Sequence, residues 1–316
     1  MIRIVQYNIL STELANIHYY VNTNTKFLQP DSRWLLLKEK LLIEIDKSSI
    51  FCLQEVSLYW LEKLVPFFTL NGYNCQYNNY GDKGSGYMGV FISYPIKYKL
   101  EAFKIVNIGD SIKNKLIRLA SAPELIIKED IWYQATRKRN TLLCLRLNCN
   151  NKVFCIDTYH MPCSHRNEPV GILHTITCIN AMNKFADNYK YVLAGDFNFQ
   201  PGSLLYKIAT ESGKYDLEKS PNYDTSMVSL RVSTPLISAY ATFDKDPAFT
   251  NFSHVLDSEI FNGCLDYIFL SRGWKVTAVK KLPSSLPLLP YPSNSEPSDH
   301  LLLAADLEII DRKKCL

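Results

Sequence analysis

The chain has 316 residues, 47% hydrophobic and 21% charged, which places it among ordinary globular proteins and excludes disorder throughout. Its 35 basic side chains outnumber 31 acidic ones, a net charge of +4 that favours a polyanionic partner without requiring one. Nine cysteines at scattered spacing, none in a C-x-x-C pair, fit a reducing compartment and do not fit a zinc site.

The opening "MIRIVQYNIL" lacks a basic patch followed by a long apolar run and a cleavage site, and no segment approaches about 18 consecutive apolar residues. A cytoplasmic, non-membrane protein is therefore expected. Residues 2–10 alternate as a strand, and 31–48 carry Trp34, Leu37, Leu41, Leu42 and Ile45 at helical spacing. Residues 50–56 read as a buried strand, and 57–68 as a helix broken near Pro66. Strands are expected at 87–94, 98–106, 141–149 and 152–161, then a helix over 168–188. The basic run "ATRKRN" at 135–140 reads as a solvated loop. A strand at about 191–196 leads into "GDFNFQPG" and a short helix at 203–211; residues 212–235 are irregular, and strands follow at 236–243, 264–271, 274–281 and 301–309. No repeat or composition shift divides the chain, so a single domain over 1–310 with a tail at 311–316 is expected. Periodicity alone supports a mixed α/β class; two runs of strands, each with helices, suggest two sheets face to face with helices outside.

Five strand ends carry polar residues that a hydrophobic strand does not need: Asn8, Glu55, His160, Asp196 with Asn198, and Asp299 with His300. Alternation along a strand puts Asp196 and Asn198 on one side and Phe197 on the other. If these ends lie together, carboxylates, amides and imidazoles converge in a set suited to a hard divalent cation and a phosphate. Magnesium is the expected metal, with manganese as a substitute, Glu55 as its direct ligand and Asn8 beside it. Each residue alone has a structural reading: Asn8 as a turn cap, Glu55 as a strand-end ion pair, "DFN" as an Asx-turn. Taken singly, the structural reading is the better account of each.

"YNIL", "LQEV", "GDFN", "FTNF", "LDYIFLS" and "PSDHLLL" together resemble the endonuclease/exonuclease/phosphatase superfamily, nearest to its branch of deadenylases, nocturnin, Angel proteins and 2′,5′-phosphodiesterases. The resemblance spans the chain and implies a four-layered α/β sandwich, two mainly antiparallel sheets packed face to face with helices outside. It implies metal ligation by Glu55, Asn8 and Asp299. Asp196 would orient and activate the attacking water, Asn198 would hold that water or a phosphate oxygen, and His160 and His300 would contact the scissile phosphate. Asp266 would hydrogen-bond His300, Asn251 would contact substrate, and Phe261 would pack on a base. "HMPCSHR" departs from the pattern in the loop that shapes the base pocket, with Pro162 early and His165 where a later proline belongs, so adenine preference is not carried over. The leucine-rich repeats that dock one deadenylase to its complex are absent from the sequence, and a monomer outside that complex is expected.

The resemblance implies a magnesium-dependent phosphodiesterase acting on single-stranded RNA or an oligoadenylate, cutting from the 3′ end, with Phe261 and Asn251 able to stack and hydrogen-bond a base. A phosphomonoesterase acting on a small nucleotide or a cyclic phosphate end is the alternative. A binding protein that keeps the fold without the chemistry is weaker, since every expected position holds the expected residue type.

Overall fold

The computed structural model describes residues 1–119, 131–163, 168–211, 231–232, 234–256 and 259–310. The expected tail, His165 and most of the expected irregular stretch lie outside them. The chain opens with β1 (Ile2–Asn8), α1 (Thr25–Leu28), α2 (Pro30–Ile45), β2 (Ile50–Val56), α3 (Leu58–Leu70), β3 (Tyr73–Asn79) and β4 (Gly89–Pro95). Next come β5 (Lys99–Asn107), α4 (Ile108–Leu119), α5 (Ile131–Thr136), β6 (Thr141–Cys149), β7 (Lys152–His160), α6 (Glu168–Ala186), β8 (Lys190–Asp196) and α7 (Leu204–Thr210). The last part holds β9 (Ile237–Ser238), α8 (Ala239–Phe243), β10 (Asn251–Ser253), β11 (Phe261–Gly263), β12 (Asp266–Leu270), β13 (Trp274–Val279) and β14 (Leu303–Ile309).

Among the described residues, twelve of these strands make two six-stranded sheets, ordered β13-β14-β1-β2-β4-β3 and β5-β6-β7-β8-β12-β9, and β10 and β11 pair in a separate antiparallel two-stranded sheet. Each six-stranded sheet is antiparallel except for one central parallel pair, β1 with β2 in the first and β7 with β8 in the second. The layering follows from alternation. In β1, Ile2 and Ile4 face the other sheet while Val5 and Tyr7 face α2 and α3; in β7, Phe154 and Ile156 face inward while Cys155 and Tyr159 lie under α6. Three apolar layers result, one between the sheets and one beneath the helices on either side, which is the expected sandwich. Among the described residues, no helix is long and apolar enough to cross a membrane.

Two expectations about elements are corrected. Helix α3 runs through Pro66 to Leu70. Pro66 is exposed, so the carbonyl its ring displaces can meet water, and buried Trp60, Leu64, Phe67 and Phe68 hold the helix on both sides of it. The expected strand at 236–243 is two strand residues followed by α8, because the Ser238 hydroxyl accepts from Ala241 N (3.3 Å) and caps a helix at that point. Helices α4 and α5 lie between β5 and β6, in a stretch for which the sequence pattern predicts no element.

Where β7 and β8 run parallel, Gly195 permits a close approach: a Cβ there would lie 2.0 Å from the Tyr159 carbonyl oxygen. Gly195→Ala is therefore expected to force the two strands apart at the residues next to His160 and Asp196. A loss of about 1–3 kcal/mol or more, read as a lowered denaturation midpoint, is the expected result.

Candidate active site

The inward faces of the strands end in polar residues. Asn8 continues the row Ile2, Ile4, Gln6; His160 continues Phe154, Ile156, Thr158; Asp196 continues Val192 and Ala194; and Asp266 precedes Ile268 and Leu270. The site is thus the end of the layer between the sheets, at the carboxyl ends of both parallel pairs. Glu55 breaks the alternation. Strict pleating would send it under α3, but the pairing of β2 with β4 shifts register between Gln54 and Val56, and Glu55 sits at φ 57°. This bulge turns the carboxylate toward Asn8.

Asp196 Oδ2 is the point of convergence. It accepts from Asn8 Nδ2 at 3.0 Å and lies 3.6 Å from Nε2 of both His160 and His300. Its other oxygen accepts from the Asn198 backbone N–H at 3.0 Å. Asn8 Nδ2 also donates to Glu55 Oε1 at 2.9 Å, and Glu55 Oε2 accepts from Ser11 N at 3.0 Å. One amide therefore ties the two carboxylates together across the sheets.

His300 is held from behind. Its Nδ1 lies 2.8 Å from Asp266 Oδ2, which also accepts from the Thr250 hydroxyl at 2.5 Å, while Asp266 Oδ1 accepts from Gln6 Nε2 at 2.9 Å. Gln6 reaches on to Gln54 Oε1 (2.7 Å), and Gln54 Nε2 donates to the Thr158 hydroxyl (2.9 Å), so a hydrogen-bonded chain crosses the interior from β12 through β1 and β2 to β7. Burial opposes a charge on His300, but Asp266, Asp299 and Asp196 together raise its pKa well above the ordinary histidine value. Burial raises the Asp196 carboxyl above its ordinary value, against the lowering effect of His300 and His160. His160 has its Nδ1 2.9 Å from the Tyr80 hydroxyl.

The remaining expected residues take different places. Asp299 Oδ2 accepts from the Tyr20 hydroxyl (2.9 Å) and from Asn251 Nδ2 (3.1 Å), and Ser253 Oγ donates to Asn251 Oδ1 (2.9 Å), so both polar ends of Asn251 are engaged within the protein. The Asn198 side chain donates to the Met161 carbonyl at 2.9 Å, fixing the chain just past His160. Phe261 stands apart, 36% exposed on β11. Phe197 turns away into the core with Phe199 and Phe269.

Sequence reasoning passed over two residues that build this end of the layer, Arg33 and Tyr20, and read a third, Tyr80, as packing in preference to base stacking. Arg33, on α2 and 1% exposed, donates to the carbonyls of Ile9, Leu10 and Pro297 at 2.5–2.6 Å. It joins the loop after Asn8 to the segment before His300. Tyr20 braces Asp299, and Tyr80 faces His160. An arginine beside Trp34 in an otherwise leucine-rich helix was the available signal for Arg33; Tyr20 carried none.

Oxygen donors dominate the set, which suits a hard divalent cation. Ligand atoms of Asp196, Asp266 and His300 lie within 4.8 Å of one another and form a candidate metal cluster. Asp266 already accepts three hydrogen bonds, so Asp196 has the free coordination capacity within that cluster. Glu55, whose two oxygens each take one hydrogen bond, has it beside Asn8.

The chain matches the model of the Endonuclease/Exonuclease/phosphatase family over residues 5–300. It is 24% identical to human (Homo sapiens) 2′,5′-phosphodiesterase 12, covering 98% of this chain and 52% of that protein, so it spans about half that relative's length. It is 31% identical to the Arabidopsis thaliana carbon catabolite repressor protein 4 homolog 4, over 37% of this chain and 27% of that one. Among solved structures it resembles ANGEL2, a 2′,3′-cyclic phosphatase, in complex with adenosine-2′,3′-vanadate (TM-score 0.71, 20% identity, 98% of this chain and 95% of that one). It also resembles the human Nocturnin catalytic domain with bound sulfate (TM-score 0.66, 21% identity, 98% and 94%).

Proposed function

From the chain's membership of the endonuclease/exonuclease/phosphatase family, metal-dependent hydrolases that include phosphodiesterases, phosphatases and nucleases, we propose that it cleaves phosphodiesters of single-stranded RNA or oligoadenylate from the 3′ end. The observation that carries this reading is the convergence of the Asn8 amide and two imidazole Nε2 atoms on one carboxylate oxygen, Asp196 Oδ2.

Asp196 orients a water for attack on phosphorus and accepts its proton, while Asn8 and Asn198 N–H groups hold the carboxylate in place. His160 and His300 donate from Nε2 to phosphate oxygens as charge builds there, and His300, backed by Asp266, protonates the leaving oxygen. Phe261 offers its exposed ring to a base. Glu55 and Asp196, with Asn8 beside them, would hold magnesium or manganese, which when bound neutralises phosphoryl charge as a Lewis acid. The likeness to 2′,5′-phosphodiesterase 12 over nearly the whole chain supports an oligonucleotide substrate. The likeness to ANGEL2 supports a second reading, hydrolysis of a cyclic phosphate or small nucleotide monoester.

Labelled 3′,5′-oligo(A), 2′,5′-oligo(A), mixed RNA, DNA and phosphorylated mononucleotides, each with magnesium or manganese, separate the two. Stepwise shortening of an RNA or oligoadenylate is expected, and phosphate release from the small substrates alone selects the second reading. Hydrolysis of none of the panel overturns both. Glu55→Gln is expected to lower kcat/KM on the order of 10³-fold, the scale of several kcal/mol of lost charge stabilisation, in a steady-state assay.

A further inference from the structure

The two imidazoles that flank Asp196 are supported differently. His300 has a carboxylate behind its Nδ1, but His160 has a phenol: the Tyr80 hydroxyl, 2.9 Å from Nδ1. A carboxylate can only accept, so it requires a proton on Nδ1 of His300; a phenol can donate, so it can satisfy a bare Nδ1 on His160. Burial, together with the charges of Glu55 and Asp196, raises the Tyr80 phenol well above its ordinary value and keeps its proton in place.

Resting on the phosphoester-hydrolase reading of the site, we propose that Tyr80 is a positioning residue that fixes His160 as the Nε2–H tautomer, with that N–H directed toward Asp196 and the phosphate held there. The surroundings over-determine the arrangement. Asn140, which precedes the strand next to β7, donates its amide to the His160 carbonyl oxygen at 2.8 Å. Tyr80 itself leads into the loop at 80–88, whose backbone is pinned at both ends: Tyr80 N and Gly81 N bond the Met88 carbonyl at 3.1 and 2.8 Å. The Ser11 hydroxyl donates to Ser85 O (2.8 Å) within that loop, and the Ser11 N–H donates to Glu55. Tyr80 thus comes from the end of β3 in one sheet and reaches His160 in the other, and its loop is tied to the carboxylate beside Asn8. The two halves of the site are registered to each other through this contact as well as through Asn8.

With Nε2–H fixed, His160 meets the phosphate as a donor at every turnover. Without the phenol, the ring can place its proton on Nδ1 and present a lone pair to an anionic oxygen, a repulsive contact. The two histidines are then unequal by construction: His300 delivers a proton, and His160 orients and stabilises.

Tyr80→Phe removes one oxygen and keeps the ring that packs against the core between the sheets. A 10–100-fold fall in kcat with KM changed less than about 2-fold is expected on whichever phosphoester the native protein cleaves. The direct readout is the ring-nitrogen correlation spectrum of histidine-labelled protein, with the His160 signals assigned by their loss in His160→Gln. The native protein is expected to show a protonated Nε2 and an unprotonated Nδ1 at His160, and Tyr80→Phe a mixture of both tautomers. A protonated Nδ1 in the native protein, or native kcat and tautomer populations in the variant, overturns the proposal. The spectrum needs no substrate, so a native protein that hydrolyses nothing defeats the functional reading while leaving the tautomer assignment to be decided separately.

Discussion

Asp266→Asn is expected to lower kcat by about 10³–10⁴-fold while leaving the protein folded, the scale on which an isosteric amide behind a catalytic imidazole slows turnover. Asp266 is fully buried, and every neighbour it bonds is a donor: Gln6 Nε2 on one oxygen, the Thr250 hydroxyl and His300 Nδ1 on the other. An amide has one accepting end. Turned one way, its N–H₂ faces the His300 N–H and expels the ring's proton to the wrong nitrogen. Turned the other way, it faces Gln6 Nε2, which can yield only if the Gln6 and Gln54 amides both reverse. In either case a buried negative charge is lost, and Asp266 leads the charges that raise the His300 pKa against burial. The sign on the pH profile follows. Activity that needs protonated His300 is lost as pH rises through its pKa; removing Asp266 lowers that pKa, so the alkaline limb must move to lower pH. A pH–rate profile in which the variant keeps native kcat, or an unmoved alkaline limb, would sink the assignment of His300 as the proton donor.

Much of the fold was legible because its signals were local. β2 and β6 have the bounds expected from their apolar runs. What the pattern could not show was set by distant partners. β3 is "YNCQYNN", too polar to read as a strand, and it forms because β4 supplies a hydrogen-bonded edge along its whole length. Helix α3 survives Pro66 because its apolar face is already buried. At the site, the strand ends announced themselves as polar residues without a folding role, and motif likeness added Asp266. The aim of each group was not readable. Glu55 depends on a bulge that no motif encodes; Asn251 spends its amide on Asp299; and Arg33, Tyr20 and Tyr80 reach the site from a helix and two loops whose approach only the packed sheets determine.

Asp157→Asn should gain stability relative to the native protein as pH rises. Asp157 sits three residues before His160 but on the outer face of β7, directly opposite Cys144 and fully buried beneath α6. Among the described residues, neither of its oxygens has a hydrogen-bond partner of ordinary geometry, and the neighbouring Cys144 thiol is a weak donor. Burial raises its pKa well above 3.8, so the folded protein keeps a proton that the unfolded chain releases. Below the unfolded value both states hold that proton and the group is silent. Between that value and the folded one the native state binds the extra proton, so each pH unit lowers stability by about 1.4 kcal/mol; above the folded value the loss is complete and constant. Asparagine has no proton to lose, and the cost of burying its N–H₂ is the same at every pH. The difference between variant and native protein should therefore widen steadily from about pH 4 upward, measured by urea unfolding across the range, with the slope as the diagnostic and the absolute offset irrelevant to it. A constant difference would mean that Asp157 is ionised in the fold. Since the side chain faces away from Asp196 and the two imidazoles, the same variant should keep native kcat, separating this stability cost in β7 from the chemistry at its end.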